Sequence, residues 1–215
     1  MTTIEKIKEG KVIAIVRGIS SEQIRPLADA IYQGGVSCIE VTFDQSSEEA
    51  REDTLKSISI LANEYAGKIC VGAGTVMNIK QVWEAIGAGA EYIISPNVDE
   101  RVIKKTKELG KVSIPGALTP TEVALAYELG ADIVKIFPAA NLGPSYIKAL
   151  KSPLKHIPMT AVGGVNPENC VQFFEAGCIG VGCGGNLVSK KLVEEGRFDI
   201  ISDTARAYME ALKNV

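Results

Sequence analysis

One feature constrains this chain more than any other. A short run of β-branched and other apolar residues is followed by a longer stretch of helical character, and the pair recurs eight times. The apolar runs fall at 12–16, 38–43, 69–73, 92–95, 112–114, 133–137, 159–162 and 179–181. Short continuous apolar runs of this kind suit strands buried on both faces in a parallel sheet. The helical stretches between them include 21–33, 47–65, 79–87, 99–109, 121–129 and 167–176. Two of these begin with capping chemistry, because Thr119 precedes Pro120 and Asn166 precedes Pro167, with proline expected in the first turn. A weak repeat marks the second, fourth, sixth and eighth units: Gly35, Gly89, Gly130 and Gly177 each end a helix just before a strand. Such a glycine reads as a left-handed helix C-cap. A repeat on every second unit fits a closed (β/α)8 barrel, whose interior is built in layers from alternate strands. An open doubly wound sheet is the second choice, and it lacks a G-x-G-x-x-G after the first strand. The expectation is an α/β fold, a TIM barrel forming a single domain over residues 1–215, closed by a helix at 202–213.

Composition then narrows the function. The chain carries 23 Lys and Arg against 26 Asp and Glu, a formal charge of −3, and no basic block stands out. A nucleic-acid partner is therefore not expected. The apolar runs are too short for a membrane span, and residues 1–11 are polar with no secretory apolar region, so no membrane partner is expected either. The five cysteines, Cys38, Cys70, Cys170, Cys178 and Cys183, are odd in number and scattered. They fit buried free thiols in a reducing cytoplasm. His156 is the single histidine, so a histidine-based nucleophile would have to use it, and a multi-histidine metal site is impossible. Cys178 and Cys183 lack a second ligand pair, so no metal is expected. Enzymatic chemistry here would fall to Lys, Glu, Asp, Arg or a cofactor.

In a barrel the working face lies at the C-terminal ends of the strands. Those ends carry Arg17, Glu40 and Thr42, Gly72-Ala73-Gly74-Thr75, Ser95-Pro96-Asn97, Pro115-Gly116, Lys135, Gly163-Gly164 and Gly184-Gly185-Asn186. Lys135 sits inside an otherwise apolar strand, and alternation puts Ile133, Lys135 and Phe137 on one face. If that face is interior, desolvation favours the neutral amine, which can attack a carbonyl and form a Schiff base. Glu40 lies mid-strand, facing with Cys38 and Thr42, and strands two and six can project it and Lys135 into one layer. A carboxylate there can move protons. The competing reading is a buried ion pair of Glu40 with Lys135 or Arg17, an arrangement that is a poor source of stability. The glycine pairs Gly163-Gly164 and Gly184-Gly185 follow strands seven and eight, where barrels bind phosphate through backbone N–H groups. Arg17 can add a bidentate anion ligand, and Gly72 to Thr75 offer backbone donors and a hydroxyl for a second anion such as a carboxylate.

These residues resemble a known family. Ala14-Ile15-Val16-Arg17, Ile39-Glu40-Val41-Thr42, Val71 to Val76, Ser95-Pro96, Pro115-Gly116 with Thr119-Pro120, and Lys135-Ile136-Phe137-Pro138 occur in order. They look like the 2-keto-3-deoxy-6-phosphogluconate / 4-hydroxy-2-oxoglutarate (KDPG/KHG) aldolases. The resemblance implies a metal-independent class I aldolase on a (β/α)8 barrel, assembled as a homotrimer. Lys135 takes the place of the Schiff-base lysine and Glu40 that of the general acid/base. Thr75 takes the place of the threonine that binds the pyruvate carboxylate. Gly163, Gly164 and Gly184 fall where the family cradles phosphate. Arg17 matches its first-strand arginine, and Pro96 and Gly185 complete the set expected at the substrate. Three positions depart from the family pattern: Asp44 stands where an arginine often binds substrate, Val162 where a threonine is usual, and Gly185 where a serine is frequent.

The expected reaction is reversible cleavage of 2-dehydro-3-deoxy-6-phosphogluconate to pyruvate and glyceraldehyde 3-phosphate. The galactonate epimer and 4-hydroxy-2-oxoglutarate are the alternatives within the family. A phosphosugar isomerase or epimerase and a non-catalytic sugar-phosphate sensor are the alternatives outside it. The expected partner is a small phosphorylated 2-keto-3-deoxy sugar acid. No cofactor is expected, because the lysine itself supplies the electron sink.

Overall fold

A computed structural model describes all residues, Met1–Val215. Nine strands, all paired in parallel, form one sheet. They are β1 (Val12–Val16), β2 (Cys38–Thr42), β3 (Cys70–Gly74), β4 (Tyr92–Ile94), β5 (Val112–Ile114), β6 (Gly116–Ala117), β7 (Val134–Ile136), β8 (Met159–Val162) and β9 (Gly180–Cys183). The order is β5-β4-β3-β2-β1-β9-β8-β7-β6. Only Pro115 separates β5 from β6, so the two are halves of one stave, interrupted where proline has no N–H to give the ladder. Hydrogen bonds from Asp132 N to Ser113 O (3.0 Å) and from Lys135 N to Pro115 O (2.9 Å) join that stave to β7 and close the ring. The result is the eight-stave parallel barrel that the alternation implied.

The staves feed two cores. One set of positions (Ala14, Ile39, Val71, Ile93, Val134, Ala161, Val181) packs outward against the helices in a large apolar cluster. The alternate set (Ile13, Cys38, Cys70, Tyr92, Ile94, Val112, Ile114, Ile133) packs inward in a second cluster. Helix α1 (Thr3–Gly10) plugs the bottom of this inner core with the fully buried Ile7. It is held by a capping box in which Glu5 N donates to Thr2 Oγ1 and Thr2 N donates to Glu5 Oε2. Residues 1–11 read as polar in sequence, and this helix was not expected.

The remaining helices are α2 (Ile24–Gln33), α3 (Glu48–Glu64), α4 (Ile79–Gly87), α5 (Glu100–Glu108), α6 (Pro120–Glu128), α7 (Gly143–Lys151), α8 (Cys170–Glu175), α9 (Lys190–Glu194) and α10 (Phe198–Ala211). Several boundaries differ from expectation for local reasons. Ser21 N donates to the Asp53 carboxylate (3.0 Å), holding 21–23 as a turn ahead of α2. Asn166 caps the turn at 167–169 by accepting from Asn169 N (2.9 Å), and the helix itself starts only at Cys170. The closing helix starts four residues earlier than expected, at Phe198. The four repeat glycines do adopt the left-handed conformation, with φ of 94°, 109°, 103° and 102° at Gly35, Gly89, Gly130 and Gly177.

Candidate active site

The C-terminal ends of the staves surround a cavity of about 510 Å³. All nine residues singled out in the sequence line it: Arg17, Glu40, Thr75, Pro96, Lys135, Gly163, Gly164, Gly184 and Gly185. Ile15, Phe137, Val162, Val165, Gly182 and Asn186 complete the wall.

Lys135 projects from β7 in register with Gly116 and Thr160, while its neighbours Val134 and Ile136 enter the outer core. It is 6 % exposed, and its Nζ lies 5.0 Å from the centre of the Phe137 ring. Burial lowers the pKa of this amine; the Glu40 charge opposes the shift and the Arg17 charge adds to it. Glu40, 1 % exposed on β2, faces the same cavity. Its carboxylate lies over Gly74, where any Cβ would overlap it, so β3 needs glycine at that point. Burial raises the pKa of Glu40, and the charges of Lys135 and then Arg17 offset part of the rise. Every salt bridge in the chain is made by other residues. The competing reading of Glu40 as a direct buried ion-pair partner is therefore not what the structure contains. The two groups share a desolvated space without neutralising each other by contact.

Residues with donor groups stand around this pair. Arg17 Nη2 donates to Thr75 Oγ1 (3.1 Å). Gly163 and Gly164 have φ of 96° and 75°, consecutive positions that only glycine takes readily. The backbone N–H groups of Gly163, Gly164, Gly184 and Gly185 donate to no acceptor within the protein. They are free to receive an anion, as in other backbone nests. Asn186 Nδ2 donates to Val165 O (2.8 Å) and ties the two glycine loops together.

The three departures are visible here. Asp44 is exposed, lies outside the cavity wall, and accepts from Ser46 N (2.8 Å); the Ser46 side chain first, and then this backbone N–H, holds its carboxyl below the usual range. Arg17 and Lys135 are thus the only cations lining the cavity. Val162 contributes an apolar wall, with Thr160 buried one inward position below it. Gly185 adds no side chain. Sequence reasoning named Phe137 and Asn186 but gave neither a place in the site. Phe137 was recoverable, because it shares an alternation face with Lys135. Asn186 was less so, because its role depends on two loops meeting.

Other chemistry does not converge here. His156 lies in the turn before β8, away from the strand ends that form the cavity, and packs edge-to-face on Tyr127 at 5.4 Å. No group of three or more His, Cys, Asp or Glu side chains is placed to hold a metal ion. No helix is long and apolar enough to cross a membrane. What the cavity offers is a buried amine biased toward its neutral form, a buried carboxyl biased toward protonation, and anion donors on two sides. That set suits covalent chemistry on the carbonyl of an anionic substrate.

Comparisons with known proteins agree. The family model described as KDPG and KHG aldolase matches residues 3–204. A 2-dehydro-3-deoxy-6-phosphogalactonate aldolase of Escherichia coli K12 is 36 % identical over 203 residues, covering 94 % of this chain and 96 % of its own. A 2-dehydro-3-deoxy-phosphogluconate aldolase of Haemophilus influenzae is 30 % identical over 212 residues, covering 98 % and 96 %. The crystal structure of a KDPG aldolase from Legionella pneumophila, with pyruvate captured as a covalent carbinolamine, shares the fold. Its TM-score is 0.86 at 24 % identity, over 97 % of this chain and 98 % of that one.

Proposed function

From the premise that this chain belongs to the KDPG and KHG aldolase family, we propose that its cavity cleaves a 2-keto-3-deoxy-6-phospho sugar acid through a Schiff base on Lys135. The observation that carries this reading is Lys135 itself, a buried amine that faces a cavity and whose pKa burial lowers. The Legionella protein's covalent pyruvate supports the same chemistry.

The lysine Nζ attacks the C2 carbonyl, and the carbinolamine loses water to give an iminium. Glu40, directly or through a water, takes the proton of the C4 hydroxyl as the C3–C4 bond breaks. The bonding pair flows into the iminium and leaves an enamine of pyruvate, while glyceraldehyde 3-phosphate departs. Protonation at C3 and hydrolysis release pyruvate and restore the amine. The free N–H groups of Gly163, Gly164, Gly184 and Gly185 hold the phosphate, and Arg17 with Thr75 holds the carboxylate. Pro96 shapes the wall between them. No metal or organic cofactor enters these steps.

The motifs imply the gluconate epimer. The relative at 36 % identity acts on the galactonate epimer, and Asp44, Val162 and Gly185 depart from the family pattern at the rim. We take the galactonate epimer as the leading substrate and the gluconate epimer as the second reading. Measuring kcat/KM on both epimers and on 4-hydroxy-2-oxoglutarate decides it. A preference of about tenfold or more for the galactonate compound is expected, and a preference for gluconate would reverse the order. The homotrimer belongs to the same proposal. Met77, Ile79 and Trp83 around the start of α4, with Leu125 and Tyr127 on α6, are exposed apolar side chains available to a second copy. Sedimentation at a trimer mass is the expected result. The five free, buried thiols support a reducing, cytoplasmic location.

A further inference from the structure

Thr75 is the one non-glycine residue of the cavity wall with a left-handed backbone, at φ +55°. A β-branched residue resists that conformation, which persists only where the surroundings impose it. The conformation has a consequence. Along β3, Ala73 faces the outer core and Gly74 faces inward beneath Glu40. Continued as an extended strand, Thr75 would face outward. The left-handed turn instead brings its hydroxyl into the cavity, where Oγ1 accepts from Arg17 Nη2.

Two glutamine amides bracket the turn. Met77 N donates to Gln81 Oε1 (2.8 Å). A backbone N–H can only donate, so it fixes which end of the Gln81 amide faces it. Gln81 Nε2 then donates to Gln45 Oε1 (2.8 Å), and Gln45 Nε2 donates to Thr75 O (2.9 Å). The relay therefore has one possible polarity. It leaves the chain at Met77, passes through helix α4 and the loop after β2, and returns to Thr75. It closes a ring around Val76, whose own N–H is bound to Ile94 O (3.1 Å). Gln81 is buried and anchors the relay to α4, where its backbone N–H is capped by Asn78.

We propose that Gln45 and Gln81 are positioning residues. Their amide relay holds Thr75 in its left-handed turn and so presents Thr75 Oγ1 and Arg17 together to the substrate carboxylate. The functional half of this inference rests on the aldolase reading above; the conformational half does not.

The test uses Gln45→Leu and Gln81→Leu. Gln45 is on an exposed loop, so its substitution leaves the core intact. Each variant should raise the pyruvate concentration for half-maximal borohydride trapping on Lys135, and KM for the sugar acid, by about tenfold. The value of kcat should stay within about twofold and the pH profile should not move. The double variant should lose no more than either single one, because both break one chain of bonds. In a Thr75→Gly background, where φ near +55° is free, the Gln45 change should have almost no added effect. A crystal structure of Gln45→Leu should show Thr75 relaxed to negative φ. Unchanged half-saturation, or Thr75 still left-handed in that variant, overturns the proposal even if wild-type trapping succeeds. Failure of trapping in the wild type would instead overturn the aldolase reading, and the variant structure would still decide the clamp.

Discussion

The floor and the rim of this barrel are built from the same staves, two to four residues apart, and they obey opposite rules. At the floor, Ile13, Cys38, Cys70, Val112 and Ile133 belong to one apolar cluster with the fully buried Ile7 of α1. At the rim the same inward face carries Glu40, Lys135 and a run of glycines around open volume. One stave shows the change by itself: β3 presents Cys70 to the floor, then Gly72 beneath the Tyr92 ring, then Gly74 beneath the Glu40 carboxylate. Above the floor both inward positions give up side-chain volume so that a neighbour's side chain can lie there. The floor supplies the stability that allows the rim to keep two desolvated titratable groups whose usual charge states burial opposes.

The largest effect that divides the two ends is on turnover. Lys135→Ala should abolish cleavage while the variant stays folded by circular dichroism; near-wild-type activity would remove the rim from the chemistry. Glu40→Gln should slow the reaction by about 10²–10⁴-fold, the scale of a lost general base. A rate unchanged in single-turnover kinetics would move the proton transfer elsewhere. The floor should respond in the other currency. Ile133→Ala should lower unfolding stability by about 2–5 kcal/mol in urea titration while kcat at low temperature stays close to wild type.

A smaller effect joins the ends. Replacing both buried ionisable groups, Lys135→Met with Glu40→Gln, should stabilise the fold by about 1–4 kcal/mol at neutral pH, because apolar or neutral groups replace unpaired buried charges. The sign follows from both shifts. Glu40, raised in the folded state, costs stability as pH rises above its ordinary 4.5, and Lys135, lowered in the folded state, costs stability as pH falls below its ordinary 10.5. Equal or lower stability of the double variant would mean that the rim pair is a net structural asset. The smallest effect sharpens the electrostatics: the Arg17 charge lowers the pKa of both Glu40 and Lys135. Arg17→Gln should therefore move the acid limb of the kcat/KM profile to higher pH, and a limb that stays or moves down contradicts the assigned couplings.

How much of this was legible in the sequence also differs between the two ends. The rim was readable because its residues break the apolar rule of their own strands: Lys135 between Val134 and Ile136, and Glu40 between Ile39 and Val41, have no reason to be there except chemistry or pairing. Strands β1, β5 and β8 and helix α4 fall where the periodicity placed them. The floor was less legible. Its plug, α1, spreads two apolar residues, Ile4 and Ile7, among charged ones, a pattern too short to declare a helix without its capping box. The split of one stave at Pro115 depends on ladder geometry that no local pattern carries. The turn at Thr75 was hidden for the same reason. Nothing in a threonine announces a positive φ, and the glutamines bonded around it come from 30 residues before and six residues after it.

The central claim is that the one lysine in this cavity is the nucleophile. Incubation with pyruvate and borohydride, followed by peptide mass spectrometry, tests it most directly. The account predicts one reduced pyruvate unit, carried by Lys135 and absent in Lys135→Ala. A folded protein that gains no adduct, or gains it on another lysine, would contradict it.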